Sequence, residues 1–213
     1  MARYKDAVCR LCRREGEKLY LKGQRCHGPK CAVERKPYAP GRSGGDQFGS
    51  RPRKPSDYAL QLREKQKCRR IYGVLEKQFR TYVRRAMRKK GVTGELLLQY
   101  LERRLDNVVY RAGMAASRAE ARQLVRHRHF AINSRVVDVP SYDVRVGDLV
   151  QVRPDSRKQV PFVAALNAAG GRTMPAWLNV DWDQFQVRVE ADPTRTDIDT
   201  RVNEQVIVEF YAR

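Results

Sequence analysis

Apolar residues recur at helical spacing through the first half of the chain. The clearest run covers residues 76–90, where apolar positions three or four residues apart form one stripe. A run over residues 57–73 predicts a helix before it, begun by Ser56 or Asp57 and stopped by glycine, and a third helix is predicted from Gly94 to about Arg111. The stripe of the clearest run consists of Phe79, Tyr82, Val83, Ala86 and Met87.

The pattern changes to alternation after a short basic helix. Ser117 is placed to cap this helix, and Glu120, three residues later, is placed to reach back to it as a capping box. Asn133 and Ser134 predict a turn between short alternating runs, which indicate a small antiparallel sheet packed on helices. These runs cover residues 130–132, 136–139, 142–146 and 149–152.

The last part of the chain allows two readings. Residues 177–187 show partial alternation with a buried look. After Asn203, a possible cap, the apolar residues share a helical face, but their β-branched content favours a strand. The residues on that face are Val206, Ile207, Phe210 and Tyr211.

Residues 1–50 hold few aliphatic side chains but four cysteines. The cysteines form two close pairs, Cys9 with Cys12 and Cys26 with Cys31, a spacing that can place four thiolates around one tetrahedral Zn²⁺. A structural zinc ion would supply folding free energy that so small an apolar core cannot. His27 is a possible substitute ligand, but four cysteines already fill the coordination shell. A Pro- and Gly-rich basic linker follows at residues 37–55.

Positive charge is concentrated in the first half of the chain. The chain carries 44 Lys and Arg against 24 Asp and Glu, a net charge of +20. Residues 1–100 hold 27 basic and 9 acidic side chains, a net of +18, whereas residues 101–213 hold 17 and 15, a net of +2. This local excess indicates a polyanionic partner. The longest uncharged stretch, residues 159–171, is too short to span a bilayer, which favours nucleic acid over a membrane.

We expect a cytosolic protein. The N-terminal residues lack the apolar core of a signal peptide. In a reducing compartment, clustered cysteines are more often metal ligands than disulfides.

Basic side chains repeat on single faces of the predicted helices. Arg118, Arg122 and Arg126 form a ridge beside the helix N-terminus at Ser117, where N–H groups and guanidinium groups can both bind phosphate. His127 follows at the end of this ridge. The basic face of the helix over residues 76–90, with Arg80, Arg84, Arg85 and Arg88, could on its own equally be solvated, but the neighbouring basic helix favours phosphate. The other candidate RNA-binding residues are Arg53, Arg63, Lys67, Arg70, Arg84, Arg85, Arg104, Asn107 and Arg111.

Long strings of the sequence carry a family resemblance. Residues 104–150, RLDNVVYRAGMAASRAEARQLVRHRHFAINSRVVDVPSYDVRVGDLV, resemble the RNA-binding domain shared by small-subunit ribosomal protein S-four and several RNA-modifying enzymes. PSDYALQLREKQKCRRIYG at residues 55–73, NEQVIVEFYAR at residues 203–213 and the cysteine pairs extend the resemblance, to the zinc-binding form of the bacterial S-four family, over nearly the whole chain. Arg128 and Ser134 stand where that family usually has glycine, which predicts a less permissive backbone there.

The resemblance implies an α+β fold and a domain organisation. A zinc-bound N-terminal module would cover residues 1–50. A helical domain would cover residues 51–102 and be completed by a helix within about 190–213. An inserted RNA-binding domain, with helices on a small antiparallel sheet, would cover residues 103–189. Residues 159–213, with a net charge of −3, are expected to face protein more than RNA.

The resemblance also implies a function. The protein would be a structural component of the small ribosomal subunit, a primary binder of its rRNA that nucleates assembly of the five-prime domain and contributes to translational accuracy. The implied partners are small-subunit rRNA, neighbouring small-subunit proteins, notably S-five, and messenger RNA near the entry channel. One structural Zn²⁺ is the implied cofactor, and neither a membrane nor a homo-oligomer is implied.

Two other classes of protein fit the sequence less well. An enzyme that carries the same RNA-binding domain would need a catalytic domain, but the chain contains no glycine-rich phosphate loop, HExxH or nucleophile elbow. A zinc-dependent DNA-binding regulator is disfavoured because the cysteine spacing is not that of a two-cysteine, two-histidine finger.

Overall fold

The computed structural model describes residues 3–41, 54–167 and 174–212. They form two compact units, Met1–Gly94 with Arg201–Arg213, and Glu95–Thr200. The units divide at residue 95, and the chain re-enters the first unit at residue 201. The domain boundaries expected at residue 103 and at about residue 190 stay predictions.

Helices account for most of the first unit. The predicted helices over residues 57–73 and 76–90 are present as α3 and α4, and the Ser56 hydroxyl caps α3 by accepting a hydrogen bond from the Ala59 N–H at 3.3 Å. Short 3₁₀ turns lie at Gly23–Cys26, Pro154–Ser156 and Arg195–Asp197. Over both units the described helices are α1 (Cys9–Glu15), α2 (Ala32–Arg35), α3 (Asp57–Ile71), α4 (Glu76–Arg88), α5 (Thr93–Glu102), α6 (Leu105–Arg111), α7 (Arg118–Arg126), α8 (Val160–Asn167) and α9 (Glu204–Ala212).

The C-terminal element is a helix, which resolves the two readings of residues after 203. The Asn203 side chain caps α9 by accepting from the Gln205 N–H at 3.2 Å. α9 packs on α3 and completes the helical unit, as the resemblance implied. Its last turn is held by Tyr211, which donates to Glu76 Oε1 at 2.7 Å, and burial together with this hydrogen bond raises the pKa of Tyr211.

The predicted helix from Gly94 to Arg111 is two helices, so that prediction was wrong in extent. Arg104 has extended backbone angles between α5 and α6 and forms an antiparallel bridge with Asp143. The N–H of Leu105 donates to Tyr142 O at 3.0 Å, and the N–H of Asp106 donates to Pro140 O at 3.1 Å. Because loop carbonyls satisfy these N–H groups, the chain can start a new helix here.

The second unit contains a five-stranded antiparallel sheet in the order β2-β1-β3-β5-β4. Register pairs such as Ile132 with Val150 and Val150 with Val187 align apolar side chains across it. The sheet and helices together confirm the expected α+β class. The strands are β1 (Phe130–Ile132), β2 (Arg135–Val136), β3 (Leu149–Val152), β4 (Leu178–Asp181) and β5 (Gln186–Val189).

Two strand predictions need correction. The strand expected at residues 136–139 is only β2, which ends at Val136, and residues 142–146 form no strand beyond the single bridge of Asp143. Carbonyl oxygens of this loop, at Pro140 and Tyr142, instead accept hydrogen bonds from the first N–H groups of α6. Val144 is nevertheless buried in the core, which explains its apolar character.

One core joins α6, α7, α8 and the sheet. Phe130 and Phe162 meet edge to face, with ring centroids 5.8 Å apart, and both are fully buried. The α8 helix was not predicted, because the uncharged run that contains it shows no clear period. Across the described residues, no helix is both long enough and apolar enough to cross a lipid bilayer.

Candidate nucleic-acid interface

Asp106, in the first turn of α6, holds two arginines. Arg104 donates to both carboxylate oxygens, with Nε–Oδ1 at 3.0 Å and Nη2–Oδ2 at 2.7 Å. Arg122 of α7 donates from Nη1 to Oδ2 at 2.9 Å. All three side chains are buried, and buried charges require such pairing. Two of the predicted RNA-binding arginines are therefore fixed by a carboxylate of the protein itself.

Glu102, at the end of α5, organises a second set of predicted residues. Arg111 donates to both of its oxygens, at 2.9 and 2.7 Å, and the Asn107 amide donates to Oε2 at 2.6 Å. The amide oxygen of Asn107 in turn accepts from Arg118 Nε at 2.8 Å, and the Arg118 guanidinium lies 4.4 Å from the Tyr110 ring centroid. We call Arg104, Arg111, Arg118, Arg122, Asn107 and the carboxylates of Glu102 and Asp106 the arginine network.

The predicted ridge on α7 does not face solvent uniformly. Arg126 and His127 are exposed, Arg118 is half-buried, and Arg122 turns inward to Asp106. Helical spacing alone could not distinguish these environments, because Arg122 lies one turn from each neighbour on the same face.

The N-terminus of α7 has a modified capping box. The Ser117 hydroxyl accepts from the Glu120 N–H at 3.2 Å, as predicted. Glu120 reaches back past Ser117, and its Oε2 accepts from the Ala116 N–H at 2.5 Å. The cap therefore orders the turn that leads from α6 into α7.

Three predicted residues on α3 pair with acidic residues near α1. Arg70 and Arg63 both pair with Glu15, the second at 3.8 Å, and Lys67 Nζ lies 2.7 Å from Glu17 Oε1. The Glu15 side chain is 3% exposed, and burial raises its pKa although Arg70 and Arg63 oppose that rise. These contacts give the α3 cations a structural role, and their contact with RNA stays a prediction.

A cationic face lies open on α4. Its opposite side buries Phe79, Val83 and Ala86, which leaves the basic side in solvent. The predicted residues Arg84 and Arg85 are exposed, and Arg53 lies outside the described residues. Arg80 and Arg88 lie one helical turn before and after Arg84, and both are also exposed. We call Lys77, Arg80, Arg84 and Arg88 the α4 cationic face.

The four N-terminal cysteines are gathered in one basic module. Cys12, Cys26 and Cys31 are buried and Cys9 is half-buried, and all are free thiols. Burial raises the pKa of Cys12 and of Cys26, and the Lys22 N–H donates to Cys26 Sγ at 3.3 Å. In the part of the chain that the structure describes, no three Cys, His, Asp or Glu side chains are arranged as a metal-coordination group.

A basic groove missed by the sequence analysis lies in the same module. It has a volume of about 440 Å³, and Arg13 beside it donates from Nε to the Lys36 and Tyr38 carbonyls at 3.1 and 3.0 Å. The spacing of its cations along the sequence is irregular, so only the folded module brings them together. Its lining residues are Arg13, Arg25, Lys30, Ala32, Arg35 and Lys36.

The two departures from glycine fall at left-handed backbone positions. Arg128 has φ +63° and Ser134 has φ +71°. Such angles are unfavourable for residues with a Cβ. The backbone at both positions is therefore less permissive than it would be with glycine, as expected from the sequence.

Comparison with known proteins covers the whole chain. Residues 3–102 match the family described as ribosomal protein S4/S9 N-terminal domain, and residues 103–150 match the S4 domain. The chain is 57% identical over 213 residues to small ribosomal subunit protein uS4 of Pelotomaculum thermopropionicum, with all of both chains covered. This chain belongs to the ribosomal protein S4 family.

Other relatives agree. Small ribosomal subunit protein uS4A of Symbiobacterium thermophilum is 59% identical and the uS4 protein of Acidothermus cellulolyticus is 57% identical, each over the full length of both chains. The S4 domain match begins at Arg103 and contains all of α6 and α7, so the arginine network lies almost wholly within it.

Proposed function

We propose that the protein is a structural, RNA-binding component of the small ribosomal subunit. The observation that carries this proposal is the arginine network of α6 and α7, within the segment that matches the S4 domain. Full-length relatives named as small ribosomal subunit proteins support it. Such a role is architectural and involves no catalysed reaction.

Binding would combine charge with shape. The α4 cationic face, Arg126 and His127 offer exposed cationic or hydrogen-bonding groups to phosphates. The basic groove near α1 offers a further set of cationic side chains to phosphates. RNA helices are recognised largely through backbone geometry and 2′-hydroxyl groups, so rigidly held cations would select a particular arrangement of RNA helices.

The same proposal includes a specific place in the subunit. We infer a primary rRNA binder that nucleates assembly of the five-prime domain and contributes to translational accuracy on cytoplasmic ribosomes. Its neighbours would include protein S-five and messenger RNA near the entry channel. The net charge of −3 on residues 159–213 supports protein contacts on that part of the chain.

We further propose that Cys9, Cys12, Cys26 and Cys31 bind one structural Zn²⁺. Four thiols in two close pairs suit zinc, and three of them are already buried. His27 is exposed and stacked on Tyr20, with centroids 5.1 Å apart, which favours a role outside the ligand set. When bound, zinc would crosslink the segments that carry the two pairs.

Footprinting on intact small-subunit rRNA tests the proposal. The purified protein should protect one multi-helix junction at nanomolar concentration, and excess duplex DNA should not displace it. Diffuse protection, or displacement by an equal concentration of duplex DNA, would instead indicate a general polyanion binder or a DNA-binding regulator.

A further inference from the structure

Each buried carboxylate of the arginine network fixes two basic side chains. Asp106 holds Arg104 and Arg122 directly, with donor–acceptor distances between 2.7 and 3.0 Å. Glu102 holds Arg111 directly and Arg118 through the Asn107 amide. Glu102 is 1% exposed and Asp106 is 4% exposed, so solvent does not compete for these bonds.

The carboxylates oppose simple attraction to RNA. Four arginines and the two carboxylates leave the network with a net charge of +2, and Asp199, which pairs with Arg111, lowers the local charge by one more. The attraction for a polyanion is therefore weaker than four unpaired arginines would give. Pairing with Asp106 satisfies the buried guanidinium groups of Arg104 and Arg122. Arg118 is only half-buried, so the chain of bonds from Glu102 through Asn107 fixes a cation that is partly open to solvent.

We propose that Glu102 and Asp106 are positioning residues that set the specificity of RNA binding. This inference rests on the proposed function. The carboxylates hold the guanidinium groups in one arrangement before RNA binds, so less conformational entropy is lost when the matching RNA docks. They also reduce attachment to RNA of the wrong shape, because non-specific affinity depends on the number of net positive charges.

The two roles predict changes of opposite sign when a carboxylate is neutralised. Glu102→Gln leaves the side-chain shape nearly unchanged but adds one net positive charge. Affinity for the cognate rRNA junction should fall about tenfold, since the hold on Arg118 through Asn107 weakens and Arg111 keeps only its ion pair with Asp199. Affinity for a featureless RNA duplex should rise, with a salt dependence steeper by up to about one unit.

Two matched variants separate positioning from charge and from stability. Asn107→Ala releases Arg118 without changing net charge, so cognate affinity should fall while duplex affinity stays constant. Val150→Ala trims a fully buried core residue far in sequence from the network, and both affinities should stay constant at temperatures where the variant is folded. Parallel loss of both affinities in Glu102→Gln, or an unchanged ratio between them, would overturn the inference.

A second measurement uses the unmodified protein and covers the case in which Glu102→Gln does not fold. Nitrogen-15 NMR of the RNA-free protein should show slowly exchanging side-chain N–H signals for Arg104, Arg111, Arg118 and Arg122. Signals averaged as in free arginine would overturn the inference. If the unmodified protein does not prefer the junction over the duplex, the proposed function fails instead, so the two failures can be distinguished.

Discussion

The N-terminal segment and the Glu95–Thr200 unit are ordered by different means. Of the four buried hydrophobic residues in segment 3–41, three are cysteines and one is Leu19. The second unit instead buries a contiguous cluster from α6, α7, α8 and the sheet. Apolar burial can stabilise the second unit, whereas segment 3–41 has few apolar side chains to bury, and we propose that zinc binding supplies the missing free energy. On this proposal, a basic surface is built without a large core because a metal ion takes the place of that core.

The largest effect should follow from Cys12→Ser. Zinc binding to short structural modules contributes about 10–16 kcal/mol of apparent free energy at neutral pH, so loss of one thiolate should disorder segment 3–41. Elemental analysis should give one zinc per unmodified protein and much less for the variant. Cys68→Ala is the matched control, because Cys68 is buried in α3 apart from the N-terminal pairs. An unmodified protein that is ordered throughout and free of metal would contradict the zinc proposal.

Core truncation should affect the second unit instead. Phe130→Ala removes a fully buried ring packed against Phe162 and should reduce the free energy of unfolding by about 3–5 kcal/mol in urea titrations. Val160→Ala is the control: Val160 is 81% exposed, so its change should stay within about 0.5 kcal/mol. Equal losses in the free energy of unfolding at the two positions would refute the assigned core.

Substituting an exposed arginine should change only RNA binding, whereas substituting a buried arginine should also change the stability of the fold. Arg126→Ala should reduce the slope of log affinity against log salt by about one unit without altering the free energy of unfolding. Arg122→Ala should also destabilise the fold, because it leaves the buried Asp106 with one partner fewer. An unchanged slope in Arg126→Ala would remove that residue from the interface.

The smallest expected effect is a gain in the stability of the second unit. Ser134→Gly should stabilise the second unit by about 1 kcal/mol, because φ of +71° is strained for serine and not for glycine. Thermal unfolding measures this, and Ser134→Ala should show no such gain, since alanine keeps the Cβ. A gain in the alanine variant would place its cause outside the backbone angle.

Local signals in the sequence predicted many of the helices and their caps. The features that these signals missed depend on contacts between residues distant in sequence. Ser56, Ser117 and Asn203 were identified as caps because capping depends on residues two or three positions away. The break at Arg104 was missed because it depends on carbonyls of Pro140 and Tyr142, distant in sequence.

The candidate site shows the same limit. Spacing identified Arg118, Arg122 and Arg126 as one ridge, but the partners Glu102 and Asp106 lie on two other helices, α5 and α6. The sequence therefore predicted where the basic residues lie, and the folded chain was needed to show which ones the carboxylates hold.

Hydrogen exchange of the full-length protein, with and without a zinc chelator, tests the contrast between the two regions most directly. The account predicts that chelation abolishes amide protection in segment 3–41 while amides of β1, β3 and β5 keep theirs. Protection that is unchanged in segment 3–41, or lost equally in both regions, would contradict it.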